Sequence, residues 1–294
     1  CTADLVVCTG DGECFMVKFK IQLANVIMRD VSDVREIPAP VSWGEQWQVN
    51  GNEYSLKVKG IGSFYVRDGR EVEYYAETGA DPDWVRLYLN GQVLVALLHQ
   101  RKIISFHASS FVHDGRGVMI LGESGAGKTS LTVAFAIEGA GFMSDDLTPV
   151  VFRESVPHIW SLSRKVKIRP DSIDQLDISE DNLSEAESGT GKKYLHLEKG
   201  AGEYHQLDLI IKIEAGEVEE PVFINPLPSE KFVLLRSEIC SWEILAGMPD
   251  TETAYLQQLV QILEKVHFVK VIRPVDITIA EMHTSLRRYL TGLE

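Results

Sequence analysis

The run Gly122-Glu123-Ser124-Gly125-Ala126-Gly127-Lys128-Thr129 has the spacing G-x-x-x-x-G-K-[ST]. That spacing has a structural meaning only where a strand enters a tight turn and a helix leaves it. The flanks supply both. Val118-Met119-Ile120-Leu121 is apolar and reads as a buried strand, and Ser130-Leu131-Thr132-Val133-Ala134-Phe135-Ala136 reads as the start of a helix. Between them the glycines let the backbone wrap around phosphate oxygens, with amide N–H groups and the helix N-terminus aimed at the anion. Lys128 adds a cation within reach of β- and γ-phosphates, and Thr129 a hydroxyl ligand for Mg²⁺. ATP and Mg²⁺ are the expected cofactors. Gly122, Ser124, Gly125, Ala126, Gly127, Lys128, Thr129 and Ser130 are the expected nucleotide contacts.

A chain of 294 residues that is 45% hydrophobic can bury a sizeable core and has room for one large or two ordinary domains. Its net charge of −14 argues against nucleic-acid or membrane binding through bulk charge. A local nest of amides with Mg²⁺ still handles phosphate in an acidic protein. Cys1, Cys8, Cys14 and Cys240 form no C-x-x-C pair, which fits a reduced cytoplasmic setting and not a zinc site. The apolar stretches are too short to span a bilayer, and the N-terminus lacks a leader pattern. The start at Cys1 reads as a trimmed or processed one.

Residues 1–98 read as a small mixed α/β domain and 99–294 as a catalytic domain. Residues 15–23 and 54–59 alternate apolar and polar, a half-buried strand pattern. Segments 63–67 and 72–75 flank Asp68-Gly69, a hairpin turn signal. Asp81-Pro82-Asp83 opens a helix that carries apolar positions to Leu98. Residues 103–108 read as a strand, and His113-Asp114-Gly115 turns the chain into the strand before the loop. A helix is expected over 129–138 and strands over 148–152, 207–213, 231–235 and 268–272, with helices at 253–266 and 277–290. Residues 177–203 are polar and read as a mobile loop with little core.

Three features gather around the loop. Ser144-Asp145-Asp146-Leu147 places adjacent carboxylates at a strand start. One can hold Mg²⁺, directly or through water, and the other can accept the proton of an attacking hydroxyl. His107 precedes the loop strand by one hairpin and can orient such a base. In an extended strand Lys165, Lys167 and Arg169 share one face, where cations would offset charge on a transferring phosphoryl group. Arg169 stands out because arginine makes bidentate phosphate contacts. Lys192 and Lys193 read first as part of a plain flexible loop, with gating of the site or contact with substrate as the alternative. Trp160 and Trp242 read as packing residues, and the cysteines as core or surface thiols.

In combination, His107-Ala108-Ser109, the loop from Gly122 to Thr129 and Ser144-Asp145-Asp146-Leu147 resemble the HPr kinase/phosphorylase superfamily. They are similar in particular to its HPr kinase-related proteins, such as the kinases of lasso-peptide gene clusters. The match covers about 103–152, with the upstream hairpin and the segment 87–98. ATP-dependent phosphoenolpyruvate carboxykinases share this nucleotide-binding core. The resemblance implies an α/β fold with a P-loop kinase domain of the HPr kinase/carboxykinase type behind a smaller N-terminal domain. It implies Lys128 on the phosphates, Thr129 and Asp146 on Mg²⁺, Asp145 as general base and His107 beside it, with the two aspartate roles interchangeable. Ser130 stands where that family carries an acid. The stretch Arg164-Lys165-Val166-Lys167-Ile168-Arg169-Pro170 occupies the neighbourhood of its second signature.

The activity expected is transfer of the ATP γ-phosphoryl group to a hydroxyl, that of a serine on a peptide or protein. A small-molecule kinase on the same site and a nucleotide-binding regulatory module are the alternatives. Expected partners are a peptide or protein acceptor, a lasso-peptide precursor among the candidates, and further copies of the chain, but neither nucleic acid nor membrane.

Overall fold

The computed structural model describes residues 23–161, 165–186, 191–197 and 200–293 and the paired strands Asp4–Cys8 and Cys14–Lys18. Cys1 and Arg164, named above, lie outside the described residues. The chain is mixed α/β and divides into two compact units. One comprises Cys1–Ile104 and Cys240–Gln258, the other Ser105–Ile239 and Leu259–Glu294. The chain thus returns to its first unit late, which a single cut at 98/99 does not describe. Among the described residues no helix is long and apolar enough to cross a membrane.

In the first unit six strands run in the order Ile27–Asp30, Glu71–Ala76, Gly62–Arg67, Glu53–Val58, Trp47–Asn50, Ser42–Trp43. All neighbours are antiparallel except the first pair. The hairpin at Asp68-Gly69 forms as its sequence dictates, with φ of 55° and 60° at the two turn residues. Asp81 caps the helix Pro82–Tyr88 by accepting the Asp83 N–H. The strands bury Tyr54, Leu56, Phe64 and Tyr74, and the helical segment buries Val85, Leu89, Leu94 and Leu97. The returning segment fits this unit closely. The Gly247 carbonyl accepts the Gly51 N–H at 2.7 Å, and a Cβ at Gly247 would stand 1.6 Å from Val49 Cγ1.

His99 joins the return segment to the helix Leu94–Gln100. Its Nδ1 meets the Tyr255 hydroxyl at 2.9 Å and its Nε2 the Cys240 carbonyl at 3.0 Å. Burial pushes its pKa down to about 4, against the pull of the main-chain bonds to Cys240 and Ser241. The unfolded chain takes a proton on this histidine below about pH 6.5, the folded chain only near pH 4. Stability is therefore complete above the unfolded value and falls as pH drops between the two, by on the order of 3 kcal/mol. Thermal melts from pH 7.5 to 4.5 should show this fall. His99→Gln should flatten the slope, and an equal slope in both proteins would show that His99 does not cause it.

The second unit is built on a nine-stranded mixed sheet. Seven of its strands run in the order Gly141–Ser144, Ala108–His113, Arg116–Gly122, Tyr204–Gly216, Val156–Trp160, Thr148–Arg153, Ile104–Phe106, and His267–Pro274 with Val222–Ile224 branches from them. The long strand Tyr204–Gly216 forks the sheet. It pairs antiparallel with Val156–Trp160 at its start and parallel with both Arg116–Gly122 and His267–Pro274 farther on. On one face the helices Lys128–Ile137 and Ile279–Thr291 pack Leu131, Phe135, Met282 and Leu286 against Val118, Ile120, Ile211 and Val269. Trp160 stacks on Tyr204, a packing role.

Several elements differ from the sequence reading. Residues 231–235 belong to the helix Pro228–Ser237, not to a strand. Pro228 occupies its first turn with Glu230, and Arg236 its last. These end signals outweigh a short apolar run of which Leu235 is buried while Val233 is 64% exposed. The segment 177–203 is not a plain loop. Leu183–Glu185 and Lys193–His196 pair with each other, and Lys193–His196 pairs with Lys165–Ile168, in a three-stranded sheet. Its leucines, Leu183, Leu195 and Leu197, pack together with Ile178 against Val166, Ile168 and Ile173, a small core that the polar composition hides. The strand expected over 103–108 breaks at His107, whose N–H leaves the ladder for the Glu238 carbonyl at 2.7 Å. Asp145 and Asp146 lie in the turn after Gly141–Ser144, not at a strand start.

Candidate active site

Gly122 ends its strand where a side chain has no room. A Cβ there would stand 2.6 Å from the Ile213 carbonyl oxygen and 2.9 Å from Ala126 Cβ. Gly125 and Gly127 then take the left-handed conformation, at φ of 86° and 101°, and Gly127 caps the helix Lys128–Ile137. The helices Pro82–Tyr88, Pro249–Lys265 and Ile279–Thr291 carry acidic residues in their first turns. The first turn of Lys128–Ile137 has none and no side-chain cap. Its positive end and amides are left for an anion.

Lys128 is buried against its own loop, donating to the carbonyls of Gly122 at 2.6 Å and Glu123 at 3.2 Å. Burial lowers its pKa, and Glu238, Asp146 and Asp145 oppose that. Thr129 donates to Asp145 Oδ1 at 2.9 Å, and the Ser109 hydroxyl donates to the same oxygen. Enclosure raises the Asp145 pKa to about 6, with Asp146 adding to the shift and the two hydroxyls resisting it.

A ladder of buried hydroxyls fixes the turn that carries the two aspartates. Ser110 meets Ser144 at 2.7 Å, Ser144 meets Thr148 at 2.8 Å, and Thr148 donates to the Ala108 carbonyl at 2.9 Å. Both ends of the turn are thereby tied to the hairpin strand. Asp146 itself sits at φ 64°, a conformation that aspartate and asparagine tolerate better than most residues. It lines the pocket with His107. The imidazole bonds the main chain of Asp146, and partial desolvation, then the charge of Lys128, hold its pKa below the ordinary histidine value against Asp146 and Glu238.

The pocket's opposite wall comes from Lys165–Ile168 and the short helix Pro170–Gln175, with Lys167, Arg169, Asp171, Ser172 and Lys192 facing the loop. Ser130 bonds Ser172 across the gap at 2.8 Å. Of the three cations read as one face, Lys167 and Arg169 line the pocket and Lys165 does not, while both lysines lie over the Tyr194 ring, Lys165 at 5.8 Å and Lys167 at 5.6 Å. Lys192 reaches the pocket, while Lys193 pairs with Glu180 at 2.7 Å. Of the loop residues read as nucleotide contacts, Ser124, Gly125, Gly127, Lys128, Thr129 and Ser130 line the pocket, and Gly122 and Ala126 do not. Their carbonyls face Lys128 and Arg273.

Sequence reading missed Glu238 and Lys212. They form a buried ion pair close to Lys128, and Glu238 also holds the His107 main chain. Lys212 reads as a charge in an apolar strand and Glu238 as the end of a short helix, so no motif marks either.

ATP and Mg²⁺ fit the residues present. A left-handed glycine loop ends in an uncapped helix, a lysine sits on exchangeable loop carbonyls, and a hydroxyl–carboxylate pair stands 2.9 Å apart next to it. Thr129 and Asp145 would hold the metal, Asp145 directly or through water, and the loop amides with Lys128 the phosphates.

No protein-family model matches the chain, and no curated protein matches it. Among solved structures, it is similar to the Hpr(Ser) kinase/phosphatase from Coxiella burnetii at 15% identity and a TM-score of 0.35, over 64% of this chain and 97% of that one.

Proposed function

We propose that the chain is an ATP-dependent kinase that transfers the γ-phosphoryl group to a hydroxyl, that of a serine on a peptide or protein. The observation that carries this reading is one pocket in which the phosphate loop, the Asp145-Asp146 turn and His107 converge. Bound Mg²⁺ would neutralise phosphate charge beside Thr129. Lys128 exchanges its loop carbonyls for phosphate oxygens. Asp146, open to the pocket, takes the proton as the acceptor oxygen bonds to the γ-phosphorus and the bond to the ADP oxygen breaks. His107 orients that carboxylate, and Arg169 with Lys167 offsets charge on the transferring group. Asp145 is enclosed and bonded to Thr129, so we assign it the metal side. This reverses the assignment drawn from the resemblance.

The test is transfer from γ-labelled ATP to a panel of peptides, proteins and small hydroxyl compounds. Lys128→Ala should weaken Mg-ATP binding by roughly 10- to 100-fold, the worth of a charged hydrogen bond, as read by calorimetry. Unchanged affinity would sink the nucleotide site. A wild-type chain that binds ATP and labels no acceptor would be a regulatory module.

A further inference from the structure

Arg273 stands at the end of the strand His267–Pro274, 147 residues from the loop it touches. Its Nε donates to the Ala126 carbonyl at 3.0 Å and its Nη2 to the Gly125 carbonyl at 3.3 Å. Its Nη1 holds the carbonyls of Pro274 at 2.8 Å and Val275 at 3.1 Å. The guanidinium therefore bridges the phosphate loop to the turn that follows its own strand, with all three nitrogens in use.

We infer that Arg273 is a positioning residue for the phosphate loop, holding two peptide planes so that their amides face the right way. A carbonyl and the next N–H belong to one rigid plane and point in opposite directions. Holding the Ala126 carbonyl on Arg273 turns the Gly127 N–H the other way, and Gly127 lines the pocket. Holding the Gly125 carbonyl likewise sets the Ala126 N–H, which closes the turn on the Glu123 carbonyl at 3.1 Å. Glycine on both sides leaves these planes free to rotate, so an external clamp decides their orientation. A planar fork with three donor nitrogens can serve both the loop and the turn, whereas a lysine ammonium on a flexible stem cannot.

The inference deepens the kinase reading and rests on it only for the identity of the ligand. The test uses the full chain with Arg273→Ala and Arg273→Lys. Titration with Mg²⁺ and pyrophosphate, and with Mg-ADP, should show both variants weakened by about tenfold or more. Amide exchange in peptides covering 122–128 should rise in both, while the helix Ile279–Thr291 keeps its protection. Wild-type affinity in Arg273→Lys would mean that charge and not the fork matters, and would overturn the inference. So would unchanged loop exchange in Arg273→Ala. If the wild-type chain binds neither ligand, the kinase reading fails, and the exchange comparison still decides the role of Arg273.

Discussion

Asp146→Asn will lower phosphoryl transfer by about 10²-fold or more, the usual contribution of a general base, and added Mg²⁺ will not restore it. Asparagine suits the variant because it tolerates the left-handed backbone that Asp146 adopts at φ 64°. The loss then reports the carboxylate and not a distorted turn. Asp145→Asn should lose transfer as well, but its carboxylate is tied to Thr129, so raising Mg²⁺ should recover part of that loss. Steady-state rates across a Mg²⁺ series separate the two residues. Full activity in Asp146→Asn would reject it as base, and rescue of Asp146→Asn with none of Asp145→Asn would return the assignment to the one drawn from the resemblance.

Glu238→Ala should destabilise the chain by about 3–5 kcal/mol, the range for stranding one member of a buried ion pair. Lys212 is 5% exposed and Glu238 8%, so neither charge can be compensated by water once its partner is gone. The substitution leaves the main-chain carbonyl that takes the His107 N–H, so the measured loss belongs to the side chain. Adding Lys212→Met to Glu238→Leu should recover most of it, because an apolar pair of similar volume carries no desolvation cost. Urea unfolding of the single and double variants gives the comparison. A Glu238→Ala chain within about 1 kcal/mol of wild type would show that the pair is not closed to water as its burial indicates.

The parts of the site that could be read from sequence are those the chain builds locally. The loop, its helix, the hairpin before it and the Asp-Asp turn all fall between 103 and 152, where short-range spacing determines which groups meet. The fold brings His107 and Asp146 to one pocket with them. Glu238 and Arg273 arrive from elsewhere. Glu238 meets Lys212 across 26 residues and Arg273 meets Ala126 across 147, and no periodicity links such positions. Residues 231–235 misled because five apolar-rich positions fit a strand and a helix equally well, and Pro228 was the better guide. The strands at Leu183–Glu185 and Lys193–His196 were hidden by composition, since three leucines suffice to seat them on Val166 and Ile168.

The late return of Cys240–Gln258 also bears on the order in which this protein can be finished. Chains made on the ribosome tend to fold their N-terminal parts first. Here His99 waits for Tyr255, 156 residues downstream, and Gly51 for Gly247. Until those residues emerge, the first-made sheet lacks a piece of its own core. The glycine loop, the hairpin and the aspartate turn by then have all been synthesised, although they belong to the later unit. A nascent chain released early, at residue 239, would carry the residues of the loop with a first unit still open.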